Sequence, residues 1–135
     1  ITVKQARHSF AENPYNALKI GLRIEREEIK RRISERTANM LAMGLVGEVK
    51  NILMWGYKKN LKALQSLGYR QIIKYLSGDY DLAEAERLIN RDTWQYAKRQ
   101  MTWFAADKTI QWFGSADYNN ITTEIEKFWE EESRG

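Results

Sequence analysis

Asp92-Thr93-Trp94-Gln95-Tyr96-Ala97-Lys98-Arg99-Gln100-Met101-Thr102-Trp103-Phe104 is the stretch whose reading decides the fold. It continues a helical pattern in which Leu82, Ala85, Ile89, Tyr96 and Trp103 fall on one face, while Arg87, Arg91, Gln95, Lys98 and Thr102 recur at helical spacing on another. One face asks for a core and the other presents cations and amides. Such a row can hold rigid donors against a phosphate backbone or a base edge, or it can be an ordinary solvated surface. Asp81-Leu82-Ala83-Glu84 has the form of a capping box and starts this helix; it is expected to end near Ala105-Ala106-Asp107.

Upstream, Leu18, Ile20, Leu22 and Ile24 alternate with Lys19, Gly21, Arg23 and Glu25, which predicts a strand with one buried face. From Glu27 the period changes to Ile29, Ile33, Met40 and Leu41, a helix stopped by Gly44. Its cluster Lys30, Arg31, Arg32 and Arg36 could touch a polyanion, but Glu27, Glu28 and Glu35 lie within salt-bridging distance along the helix, which favours a solvated face. A shorter helix with Leu45, Val49, Ile52 and Leu53 inward ends at Gly56, and Lys58-Lys59-Asn60 make a polar turn. Leu61, Leu64 and Leu67 predict a helical segment that Gly68 interrupts before Tyr69–Leu76 resumes. If Gly68 sits at a helix N-terminus, free backbone N–H groups, the positive end of the dipole and Arg70 converge on one spot and make an anion site. The other possibility is a turn glycine beside an arginine that pairs with a carboxylate. Thr109–Phe113 reads as a second short strand, and Ile121, Ile125, Phe128 and Trp129 as one side of a last amphipathic helix that ends in Glu130-Glu131-Glu132 and should fray.

The 135 residues are one domain's worth of ordinary globular material, 43% apolar and 30% charged. The first residue is Ile rather than Met, which fits an excised or processed segment. The net charge of +4 is uneven: from Ser115 onward six acids oppose Lys127 and Arg134, a net −4 that leaves +8 on residues 1–114. A basic body of this kind favours a polyanionic partner. No apolar run reaches membrane-spanning length and no signal-peptide pattern is present, so a cytoplasmic protein without a membrane partner is expected.

Cysteine is absent and His8 is the only histidine. Zinc clusters, Cys–His pairs and triads built on more than that one residue are therefore excluded, and no metal ligand is assigned in this chain. Binding is what the composition leaves.

Three runs resemble one family in that family's order. Gln95–Phe104 is similar to the QxAKRQxTWF signature of tRNA dimethylallyltransferases, also called IPP transferases; Leu64-Gln65-Ser66-Leu67-Gly68-Tyr69-Arg70-Gln71 with Tyr75–Gly78 resembles their LQxxGYRQ and YLxG; Met40–Val49 resembles their MLxxGLVxEV. The likeness covers about residues 14 to 113, and the family's phosphate-binding loop, GxxGxGKS, is nowhere in this chain. The resemblance implies the C-terminal part of a P-loop, nucleotide-binding type of α/β fold, here mainly α with two short strands that belong to a larger sheet. It implies an arm over residues 1–14, a transferase part over 15–114, and an amphipathic helix with an acidic tail over 115–135.

It further implies an enzyme that transfers a dimethylallyl group from dimethylallyl diphosphate to N6 of adenosine 37 beside the tRNA anticodon, with Mg2+ held mostly by ligands outside this segment. The segment itself would contact diphosphate and the anticodon stem-loop through Gln65, Gly68, Tyr69, Arg70, Gln95, Lys98, Arg99, Gln100 and Trp103, with Arg70 supporting catalysis and no residue here certain to be catalytic. Tyr69 and Trp103 could stack on bases, yet both fall where a core residue would, and core packing is expected of Trp103. Phe104 and Ala105 end the basic run that some members carry. By itself the segment is expected to be inactive, to need an N-terminal P-loop half as partner, and to risk self-association through open strand edges. The alternative is a free-standing helical RNA- or protein-binding module without catalysis.

Overall fold

Local chemistry sets where each helix begins and stops. In this computed structural model, which describes residues 16–134, helix α1 (Arg26–Ala42) opens with Glu27 and Glu28 at the positive end of its dipole. Gly44, with φ of 102°, lets the chain turn directly into α2 (Leu45–Met54). Leu61 to Leu67 forms only a short 3-10 turn (Lys62–Gln65) where a longer helical segment was expected. Leu61 and Leu67 stay exposed, so Leu64 alone is buried and nothing rewards a longer helix. Helix α3 (Tyr69–Leu76) then starts at Gly68, whose φ of 93° is the positive region that the turn requires.

Helix α4 (Leu82–Ala106) is the longest. The side chain of Asp81 accepts the Glu84 N–H at 2.8 Å, one half of the expected capping box. The Glu84 carboxylate does not reach back; it pairs with Arg87 at 2.6 Å instead. After α4 come β2 (Ile110–Gly114) and α5 (Tyr118–Arg134). With β1 (Lys19–Arg23), the fold class is mainly α with two short strands, as the sequence implied. The arm expected over residues 1–14 lies outside the described residues.

The described residues form two units, Glu25–Gln100 and a second made of the stretch up to Ile24 together with Met101 onward. In the first unit Leu45, Val49, Leu64, Ile72, Ile73, Ala85 and Ile89 make one buried cluster, flanked by Met40, Leu41, Tyr69, Tyr75 and Tyr80. Val49 and Ile72 are fully buried, and each such side chain contributes about 1.5–3 kcal/mol relative to exposure.

In the second unit β1 and β2 pair in parallel, Lys19 opposite Ile110 and Arg23 opposite Gly114. Parallel pairing needs a long crossover, which the helices between the strands supply. Gly21 lies opposite Trp112, and a Cβ there would meet the indole at 2.6 Å, so only glycine lets the ring cross the neighbouring strand. Lys19 pairs with the buried Asp107 at 2.8 Å, and Asp107 also accepts the N–H and hydroxyl of Thr109. The Lys19 ammonium and the Thr109 donors hold the Asp107 carboxyl down to about 2. The buried strand face expected from the alternation is only half realised: Leu22 is exposed, because two strands offer little to cover it.

Candidate functional site

The network that ties α3 to α4 begins at the turn glycine. The Gly68 N–H donates to Oε1 of Gln71 at 2.9 Å, which takes up one of the free donors at the start of α3. Gln71 is buried, and its Nε2 donates to Oδ2 of Asp92 at 2.8 Å. The same oxygen receives Nη2 of Arg70 at 2.8 Å. Oδ1 of Asp92 receives Nε and Nη2 of Arg91 at 2.8 and 2.7 Å. The Asp92 side chain is only 12% exposed. Burial opposes its charge, but the hydrogen bonds from Arg91 and Arg70 outweigh that cost and hold its carboxyl below the usual aspartate range.

Around this knot opens a groove of about 460 Å³ lined by Lys59, Gln65, Arg70, Lys74, Arg91 and Asp92 among others. Four cations against one carboxylate make its wall electropositive. Gln65 Nε2 donates to the Lys59 carbonyl at 2.6 Å and Lys59 Nζ donates to Ser77 Oγ at 2.7 Å, which fixes the opposite rim. Arg70 does pair with a carboxylate, and it still lines the groove, because a guanidinium offers five N–H donors and only Nη2 has a partner among the described residues.

Tyr69 points elsewhere: its ring packs on the core cluster and its hydroxyl donates to Glu48, which raises its pKa. Gln95, Lys98, Arg99 and Gln100 lie on the exposed second half of α4, with the Arg99 guanidinium 5.8 Å from the Tyr96 ring centre. Trp103 does not pack in the core as expected; it is 44% exposed. The buried cluster stops at Ile89, and farther along the same apolar face the side chains are only partly covered: Tyr96 is 52% exposed, and Trp103 meets Phe104 edge to face at 4.7 Å. In the second unit Trp103 and Phe104 line an apolar concavity of about 590 Å³ with Leu22 and Trp112.

The basic cluster of α1 is the solvated face its spacing favoured. Lys30 pairs with Glu27, Arg31 with Glu28 and Glu35, and Arg32 with Glu28, whose carboxyl these arginines hold down to about 2. Asp92, Lys59 and Lys74 are groove residues that sequence reasoning did not single out as site residues. A faint signal existed for Asp92, an acid set between Arg91 and the first aromatic of the row. No signal joined Lys59 to Arg70, since a turn brings them together. Among the described residues no group of three or more histidines, cysteines and carboxylates stands where it could hold a metal ion. Nor is any helix among them long and apolar enough to cross a membrane.

Comparison with known proteins gives this geometry a context. The family model described as IPP transferase matches residues 1–107. A tRNA dimethylallyltransferase of Geobacter metallireducens is 52% identical over 108 residues, 80% of this chain and 35% of the relative. That of Geobacter sulfurreducens is 44% identical over 126 residues, 93% of this chain and 40% of the relative. Among solved structures, a tRNA delta(2)-isopentenylpyrophosphate transferase from Staphylococcus epidermidis superposes with a TM-score of 0.75 at 31% identity, over 87% of this chain and 40% of that one. A tRNA isopentenylpyrophosphate transferase from Bacillus halodurans does so at 0.76 and 35%, over 90% and 42%. The chain thus spans about two fifths of the length of the proteins it matches. With the match running through the segments that build the groove and through most of α4, this chain belongs to the IPP transferase family.

Proposed function

We propose that this chain supplies the tRNA- and diphosphate-contacting part of a cytoplasmic tRNA dimethylallyltransferase, residues 15–114 serving the transferase and 115–135 forming a C-terminal appendage. In the reaction, N6 of adenosine 37 attacks C1 of the dimethylallyl group, the C1–O bond breaks, and diphosphate leaves with the bonding electrons while the N6 proton passes to a base. In this reading that base, the P-loop and most of the Mg2+ ligands come from sequence outside this segment. What these residues do is bind and orient. The groove at Gln65, Gly68 and Arg70 receives the diphosphate, where Arg70 meets the charge that grows on the leaving group. Gln95, Lys98, Arg99 and Gln100 lie along RNA phosphates and base edges.

The observation that carries this is the four-cation groove to which the LQxxGYRQ segment contributes Gln65, Arg70 and Gln71, with donors of Arg70 to spare. It is tested in the full-length transferase that contains this sequence. Arg70→Ala should lower kcat by roughly ten- to a thousandfold at saturating tRNA, with tRNA affinity little changed. If excess tRNA restores full turnover to Arg70→Ala, Arg70 is only another RNA clamp. If turnover is unchanged at every tRNA concentration, the groove is not where diphosphate sits.

A further inference from the structure

We propose that Asp92 is a positioning residue for Arg70: it orients the guanidinium from α4 so that the remaining donors of Arg70 serve the groove. This rests on Arg70 acting on the diphosphate, and it assigns a role to a residue outside the three sequence signatures.

Four observations carry it. First, Asp92 is saturated. A carboxylate has about four acceptor sites, and Arg70, Gln71 and both nitrogens of Arg91 fill them, so Asp92 has none left for a metal ion or a substrate proton. Second, it is nearly buried at the back of an electropositive groove, where a carboxylate with no positioning task would only weaken the attraction for an anion. Third, the oxygen that holds Arg70 also holds Gln71, and Gln71 holds the Gly68 N–H. One atom therefore sets both the turn and the arginine, from a helix whose adjacent turn is anchored in the core by Ile89. Fourth, pairing occupies Nη2 alone, and a planar guanidinium fixed at one corner keeps its other N–H groups in a defined plane. An arginine left loose loses rotamer freedom each time an anion binds; one already fixed does not.

The test compares Asp92→Asn and Arg70→Ala, singly and together, in the full-length transferase. Asn keeps the size of Asp and one acceptor oxygen but discards the charge. Asp92→Asn should lower kcat by about tenfold at saturating tRNA while KM for tRNA stays within about twofold. In the Arg70→Ala background the same change should cost less than about twofold, since the group it acts through is gone. Inhibition by added inorganic pyrophosphate should weaken in both single variants and no further in the double. Should Asp92→Asn fail to fold, Asp92→Glu, which keeps the charge and shifts it by one methylene, replaces it in the same comparison with the same lack of additivity. Losses that multiply in the double variant, or an Asp92 variant that unfolds more easily yet turns over at the normal kcat, would overturn the positioning role and leave Arg70 untouched. An Arg70→Ala enzyme with normal kcat would instead overturn the reading of the groove, and the role of Asp92 with it.

Discussion

The two halves of helix α4 follow one apolar period and end in opposite surroundings. In the first half Ala85 and Ile89 are buried, Ile89 to 2% exposure, among residues from α2, α3 and the 3-10 turn. In the second half Tyr96 and Trp103 occupy positions of the same face and are among the large exposed side chains. Periodicity states which face of a helix can be buried; whether anything lies over that face is decided by residues far away in sequence. Asp92 falls between the halves, where cations are gathered by a carboxylate, whereas the Arg99 guanidinium lies against the Tyr96 ring.

The widest gap to probe is in stability. Ile89→Ala should cost about 2–5 kcal/mol, because it empties part of the core cluster, while Tyr96→Ala on the same helix should stay within about 1 kcal/mol. Denaturant unfolding of the two variants checks this, and equal losses would abolish the distinction between the halves.

A smaller effect sharpens the functional side. Lys98→Ala should weaken binding of an anticodon stem-loop by about two- to tenfold and reduce the salt slope of log affinity by about 1, with turnover restored by saturating tRNA. A loss of kcat that tRNA cannot restore would put Lys98 with the Arg70 groove rather than with the exposed half.

The smallest expected effect is on pH response just past the second half, where Asp107 follows the helix. Its folded-state pKa of about 2 lies below the value near 4 of an unfolded aspartate, so its pairing stabilises fully above about pH 4 and is lost as pH falls toward 2. Amide exchange in Ile110–Gly114 should accelerate through that window. Amides at Leu45 and Val49, held by apolar burial, should respond less; an equal response would mean the two regions are not separately held.

Much was legible in the sequence because the signals are local. Alternation placed β1, glycines at positive φ marked the breaks before α2 and α3, and Asp81 marked the start of α4. Glu27, Glu28 and Glu35 foretold that Lys30, Arg31 and Arg32 of α1 would be paired, since partners three or four residues apart share a helix face. Gln65, Gly68 and Arg70 were singled out by motif, and all three belong to the groove or to the turn that frames it.

What the sequence by itself determined was the set of elements, their caps and the segments that bear cations, since each depends on neighbours within a turn or two. Only the tertiary structure decided that β1 and β2 pair in parallel across the whole helical stretch, that Arg70 spends one donor on Asp92, and that burial along α4 ends at Ile89. Those are meetings of residues tens of positions apart. They form when distant apolar surfaces exclude water together, and no periodicity within a single segment records which partner will arrive.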